Sequence, residues 1–145
     1  MCHELEFADR LDRMPFTLDL TDLLLTKLQI VELNEKDVQD VVYLLSACPV
    51  KEGDEPSTIG LERIRSIVES DWGWWRTLTL NLDRIEQLAG DGRLVPSGAD
   101  FDPVQQLRTI REAADSAPKS LRWKLRAKVG ERKRWYRLPE ETGHD

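Results

Sequence analysis

TDLLLTKLQIVELNEKDVQD, residues 21–40, sets one lysine inside an apolar helical stripe and then places two aspartates three apart. At helical spacing the neighbours of Lys27 are Leu23, Leu24, Ile30 and Val31, all of them apolar. That period predicts a helix opened by Thr21 or Asp22 as N-cap and running to about Leu33, where Asn34 can stop it. A second helix follows from about Glu35 to Ala47, ended by Cys48-Pro49. Two roles fit the lysine: its stem can pack on the core while the ammonium snorkels to the edge, or the ammonium can face an anion in a cleft. Asp37 and Asp40 share one face near the start of the second helix, where carboxylates favour the macrodipole with or without a further task.

Upstream the pattern changes. Leu5 and Phe7, then Phe16, Leu18 and Leu20 with Thr17 and Asp19 between them, alternate as in strands, with Met14-Pro15 as a break. One more weak strand candidate is KRWYRL, 133–138. Downstream, helices dominate. A third begins near Ser57 or Thr58, with Leu61, Ile64, Ile67 and Val68 on its apolar face. After SDWGWW, the residues Trp75, Leu78, Leu82 and Ile85 recur at helical spacing to about Ala89. GDGRLVPSGADFDP is a connection rich in Gly and Pro. Two last helices are expected, about Pro103 to Asp115 and about Pro118 to Val129, with Gly130 beyond the end. The fold class that results is mainly α, a helical bundle with one or two short N-terminal strands.

A chain of 145 residues can bury a true core, and a third of it being charged fits a soluble globular protein. Cys2, Cys48, His3 and His144 make no metal-ligand or redox spacing, so a reduced, cytoplasmic, zinc-free setting is expected. No apolar run approaches the length of a membrane span. The net charge of −6 hides an asymmetry: residues 119–137 hold nine Lys and Arg against Glu131 alone, a charge of +8 that leaves −14 elsewhere. Such a segment is either a basic contact surface or the partner of the acidic remainder. Its aromatics, Trp123, Trp135 and Tyr136, alternate with cations as in surfaces that grip phosphates and stack bases, so Arg122, Trp123, Lys124, Arg126, Lys128, Arg132 and Arg134 are the candidate nucleic-acid contacts. In DWGWWR, 71–76, Trp75 reads as core, while Trp72 and Trp74 can cap that core or stack on a ligand.

A strand, a helix carrying LLLTKLQ, a short turn and a helix opening KDVQD together resemble the AbiEii-type nucleotidyltransferases, the toxins of type IV toxin–antitoxin systems, over Phe16 to Leu45. The resemblance implies a polymerase-β-like α/β unit followed by a helical C-terminal region. It implies that Lys27 binds nucleotide phosphates and that Asp37 and Asp40 are the catalytic-site acids. It further implies RNA or an antitoxin-like protein as partner. One departure stands out. The family holds magnesium with a Gly-Ser turn and Asp-x-Asp ahead of the lysine helix, and no Gly precedes Lys27 here. PSGADFDP, 96–103, echoes that motif in reversed order and after the lysine, and reads as a loop with acids. Without those carboxylates the two-metal geometry for phosphoryl chemistry is missing.

The expectation is therefore a truncated nucleotidyltransferase-like protein, the C-terminal part only, inactive as given. Residues 1–48 would be the remnant of the catalytic core and 49–145 the helical region. Magnesium and a nucleoside triphosphate would be cofactors of a full-length form alone. The alternatives are a non-catalytic nucleic-acid- or protein-binding module using 119–137, and a homodimer or heteromer formed through the strand edge near residues 4–20.

Overall fold

The computed structural model describes residues 2–7, 9–14 and 18–138. Its elements are α1 (Leu20–Leu28), α2 (Glu35–Ala47), β1 (Val50–Lys51), β2 (Ile59–Gly60), α3 (Leu61–Val68), α4 (Trp72–Ala89), α5 (Pro103–Ser116) and α6 (Leu121–Val129), the last running into a 3-10 turn at Gly130–Arg132. The mainly helical class with short strands is thus observed. Among the described residues, however, the strands are not N-terminal. β1 and β2 pair in parallel, Val50 opposite Ile59 and Lys51 opposite Gly60. Residues 4–7 and 9–13 carry turns and irregular backbone, and 133–138 form no strand. Phe16 and Thr17 of the expected alternation lie outside the described residues.

The N-terminal segment forgoes a ladder because side chains take its backbone groups instead. Gln29 Oε1 accepts the N–H of Cys2 at 2.5 Å, Trp74 Nε1 donates to Glu4 O at 2.8 Å, and Arg63 Nη2 donates to Glu6 O at 2.7 Å. Arg10 then ties the segment down. Its guanidinium reaches Asp19 at 2.7 Å, Asp22 at 2.5 Å and Asp54 at 2.7 Å, while Arg13 and Arg63 supply the second cation to Asp19 and Asp22. Asp19 and Asp22 are fully buried, so each depends on this pairing.

One apolar core runs through α1 to α5, with Leu24, Leu28, Val42, Leu45, Ile64, Leu78, Ile85 and Ile110 all shut off from solvent. Each such side chain contributes about 1.5–3 kcal/mol by leaving water. α4 and α5 pack on each other and on α3, and α2 leans on α5. The stripe of α4 holds Trp74, Leu78, Leu82 and Ile85; Trp75, expected in the core, is half-buried one step around the helix.

Helix ends are set by neighbours as much as by local caps. Asp19, not Thr21 or Asp22, is the N-cap of α1. α1 stops at Leu28, five residues short of the expected end, because Asn81 of α4 donates to the carbonyls of Leu28 and Ile30, both at 2.8 Å. Glu32 then turns the chain with φ 66°. Asn34 and Asp37 form a capping box on α2. Gln106, buried in α5, donates to Leu45 O at 2.5 Å and Cys48 O at 2.8 Å and accepts from Val50 N at 2.8 Å, closing α2 and starting β1. Gly60 is needed where it stands: a Cβ there would lie 2.5 Å from Gly53 O.

Candidate functional site

The lysine in the apolar stripe is answered by the next helix. Lys27 Nζ lies 3.0 Å from Asp37 Oδ1 and 3.1 Å from Asp40 Oδ2, with Lys36 Nζ 3.5 Å from Asp40 on the outside. Lys27 stands one turn after buried Leu24 on α1, and about a third of its side chain is exposed, 34%. Asp37 serves twice, since its other oxygen faces the Asn34 N–H of the capping box. Hydrogen bonds from Asp37, and then from Asp40, hold the Lys27 ammonium above its ordinary value, and Lys27 in turn holds the Asp40 carboxyl below the usual carboxylate range. An ammonium has three donors, so one hydrogen of Lys27 is left after the two aspartates. The donor set does not suit a resident magnesium, because both carboxylates are already turned to an ammonium that a hard cation would have to displace. Asp100 and Asp102 of the 96–103 loop are elsewhere. Asp102 caps α5 through the N–H groups of Val104 and Gln105, and the Asp100 N–H donates to Ser46 O.

The basic segment forms a second concentration of charge, and the structure divides it. Trp123 and Arg126 face α4: Trp123 stacks edge-on to Trp75 at 5.4 Å, and the Arg126 guanidinium lies 4.8 Å over the ring of Trp72. Arg126 also donates to Gly130 O and Lys133 O, both at 2.8 Å, fixing the chain reversal after α6. Arg132 donates to Val129 O and Lys128 O, and Lys119 to the carbonyls of Ala114 and Ala117 at the end of α5. Arg137 pairs with Glu4 at 2.8 Å. Arg122, Lys124, Lys128 and Lys133 are exposed and have no carboxylate partner among the described residues. Arg122, Arg126 and Arg134 line a common cleft with Lys133 and Arg137, whereas Lys124 and Lys128 do not.

Trp135 and His3 line the same cleft, and Thr77 joins them. Trp135 rests on α4 so closely that a Cβ on Gly73 would lie 2.8 Å from Trp135 O. Its Nε1 donates to Thr77 Oγ1 at 3.0 Å, which in turn meets His3 Nε2 at 2.7 Å. The threonine hydroxyl thus bridges Trp135 and His3. Burial pushes the His3 imidazole down to about 4, against an opposing pull from Asp71. The signal that could have found this relay was the WY pair inside the basic run; nothing local marks Thr77 or His3. No family model, no curated protein and no solved structure matches this chain. No helix among the described residues is long and apolar enough to cross a membrane.

Proposed function

We propose that the chain is a nucleotidyltransferase-like unit that grips nucleotide phosphates through Lys27 and does not itself carry out transfer. One observation carries the reading. Lys27, Asp37 and Asp40, the three residues that the AbiEii-type pattern singles out, come from two helices and meet within 3.1 Å. The remaining donor of Lys27 is directed by two fixed carboxylates, which is how a cation is held ready for an incoming oxygen. Asp37 and Asp40 position the ammonium in this chain; in a relative that also carries the Asp-x-Asp motif they would support the reacting groups. RNA acceptors, an antitoxin-like partner and a cytoplasmic location accompany this reading through the resemblance.

The experiment is a titration with ATP and with GTP followed by calorimetry, on the native chain and on Lys27→Ala. Triphosphate binding that falls at least about tenfold in Lys27→Ala, about 1.4 kcal/mol, with the fold retained, supports the reading. Binding unchanged by the substitution, or no binding by the native chain, overturns it.

A further inference from the structure

Two adjoining clefts, of about 600 and 320 Å³, meet where the start of α4 faces α6 and the segment 133–137. Both are walled by Asp71, Arg122, Arg126 and Trp135. The larger adds Lys133, Arg134 and Arg137, so five cations converge on one concavity. Its two carboxylates are both occupied. Glu4 pairs with Arg137, and Asp71 accepts the Trp74 N–H as the N-cap of α4. Arg122 and Lys133 therefore face the space with no ion-pair partner among the described residues, and five cations against two acids leave the lining positive in a chain whose net charge is negative. Cations gathered over low-dielectric walls focus a positive potential into the groove between them.

From this juxtaposition we infer that the cleft binds single-stranded nucleic acid, its phosphates on Arg122, Lys133 and their neighbours and a base against the Trp135–Tyr136 pair. Those two rings stand edge to face at 5.3 Å and both are half-buried, so part of each aromatic surface is open beside the cations. Aromatic surface interleaved with cations in a groove is the arrangement that holds an unstacked strand with little regard to sequence. A concave site of this size admits a flexible strand rather than the convex side of a duplex. A lipid surface would use a different face. The apolar stripe of α6, Leu121, Leu125 and Val129, is exposed, whereas Trp123 and Arg126 of the same helix are packed on α4 beside the cleft. This inference stands apart from triphosphate binding at Lys27.

The test is fluorescence anisotropy of short fluorescein-labelled oligouridylate and oligothymidylate with the full chain at low salt. Binding is expected to weaken with added salt with a log–log slope of about −2, the value for three phosphates on a single strand. Arg122→Glu with Lys133→Glu should weaken it at least about tenfold, whereas Lys124→Glu with Lys128→Glu, the same charge change outside the cleft, should cost less than about threefold. All four side chains are exposed and have no carboxylate partner among the described residues, so both double variants should keep the native circular dichroism spectrum. Lys27→Ala should leave oligonucleotide binding intact even if it abolishes triphosphate binding. No binding at low salt, equal losses in the two double variants, or equal competition by a duplex of the same sequence would overturn the inference.

Discussion

The Arg10 knot and the C-terminal cleft are both rich in arginine and treat it in opposite ways. In the knot, Arg10, Arg13 and Arg63 meet Asp19, Asp22 and Asp54, and the carboxylates of Asp19 and Asp22 are sealed from water. In the cleft, five cations stand with two described carboxylates, and Arg122 and Lys133 have no carboxylate partner among the described residues. Burying a charge is tolerable only when its partner is present, so the knot is fixed structure. Exposed cations such as Arg122 and Lys133, with no carboxylate partner among the described residues, add no ion pair to the fold, and that leaves them available to something outside it. α6 fits the contrast: it has no buried residue, and the buried indole N–H of Trp123 finds no acceptor among the described residues.

The sharpest way to break the comparison is Arg10→Ala. It leaves Asp19 and Asp22 buried with only part of their pairing, and stability should fall by about 3–5 kcal/mol in urea denaturation. A loss below about 1 kcal/mol would mean that the knot is no more essential than a surface pair.

His3 joins the N-terminal segment to the cleft wall through Thr77 and Trp135, and acid should loosen that junction. Above the ordinary value of 6.5 the ring is neutral in both folded and unfolded chains. As pH falls from there toward about 4, the unfolded chain takes up a proton that the buried ring refuses, so stability drops. The loss approaches about 3 kcal/mol at the low end. A His3→Gln variant should lack this component of the acid profile; an identical profile would show that His3 titrates normally.

Gln106→Ala removes three hydrogen bonds at once, those with Leu45 O, Cys48 O and Val50 N. It should cost about 1–3 kcal/mol, with faster amide exchange at Val50 as its local signature.

These residues also mark where the sequence was legible. Local chemistry announced α5, which Pro103 opens behind Asp102, whereas Asn34, expected to stop the first helix, is the N-cap of α2 and forms a capping box with Asp37. α4 was visible through its period, although Trp74 is the fully buried ring and Trp75 packs on the core half-buried, a difference of one position that a run of tryptophans does not resolve. The end of α1 was invisible because it is imposed by Asn81, far along the chain, and by a left-handed Glu32 where glycine would ordinarily signal the turn. The alternation at Leu5 and Phe7 failed as a strand for the same reason, its backbone partners being Gln29, Arg63 and Trp74. At the candidate site, spacing put Asp37 and Asp40 on one face, but only the packing of α1 against α2 shows Lys27 reaching both. The cleft was half legible: composition gave a basic, aromatic segment, while the division between its inward and outward cations depends on which face of α6 meets α4.

Lys27 falls between the two extremes, and its smallest effect separates them. Lys27→Met keeps an apolar stem and removes only the ammonium. With about a third of the side chain exposed, 34%, solvent and salt screen the pairs, so the stability loss should stay below about 1 kcal/mol and shrink further as salt is added. The pH dependence has a definite form. The ammonium, held above its ordinary 10.5, contributes below that value and ceases to as pH rises through its raised one; the Asp40 carboxyl, held below its ordinary 3.8, contributes above that value and is lost as pH falls through its depressed one. The difference between native chain and variant should therefore be flat between about 4 and 10.5 and narrow at both ends. A salt-insensitive loss near that of Arg10→Ala would place Lys27 with the knot, as a cation committed to the fold. A small, screened loss accompanied by failure to bind triphosphate would place it with the cleft, as a charge the fold holds out to a ligand.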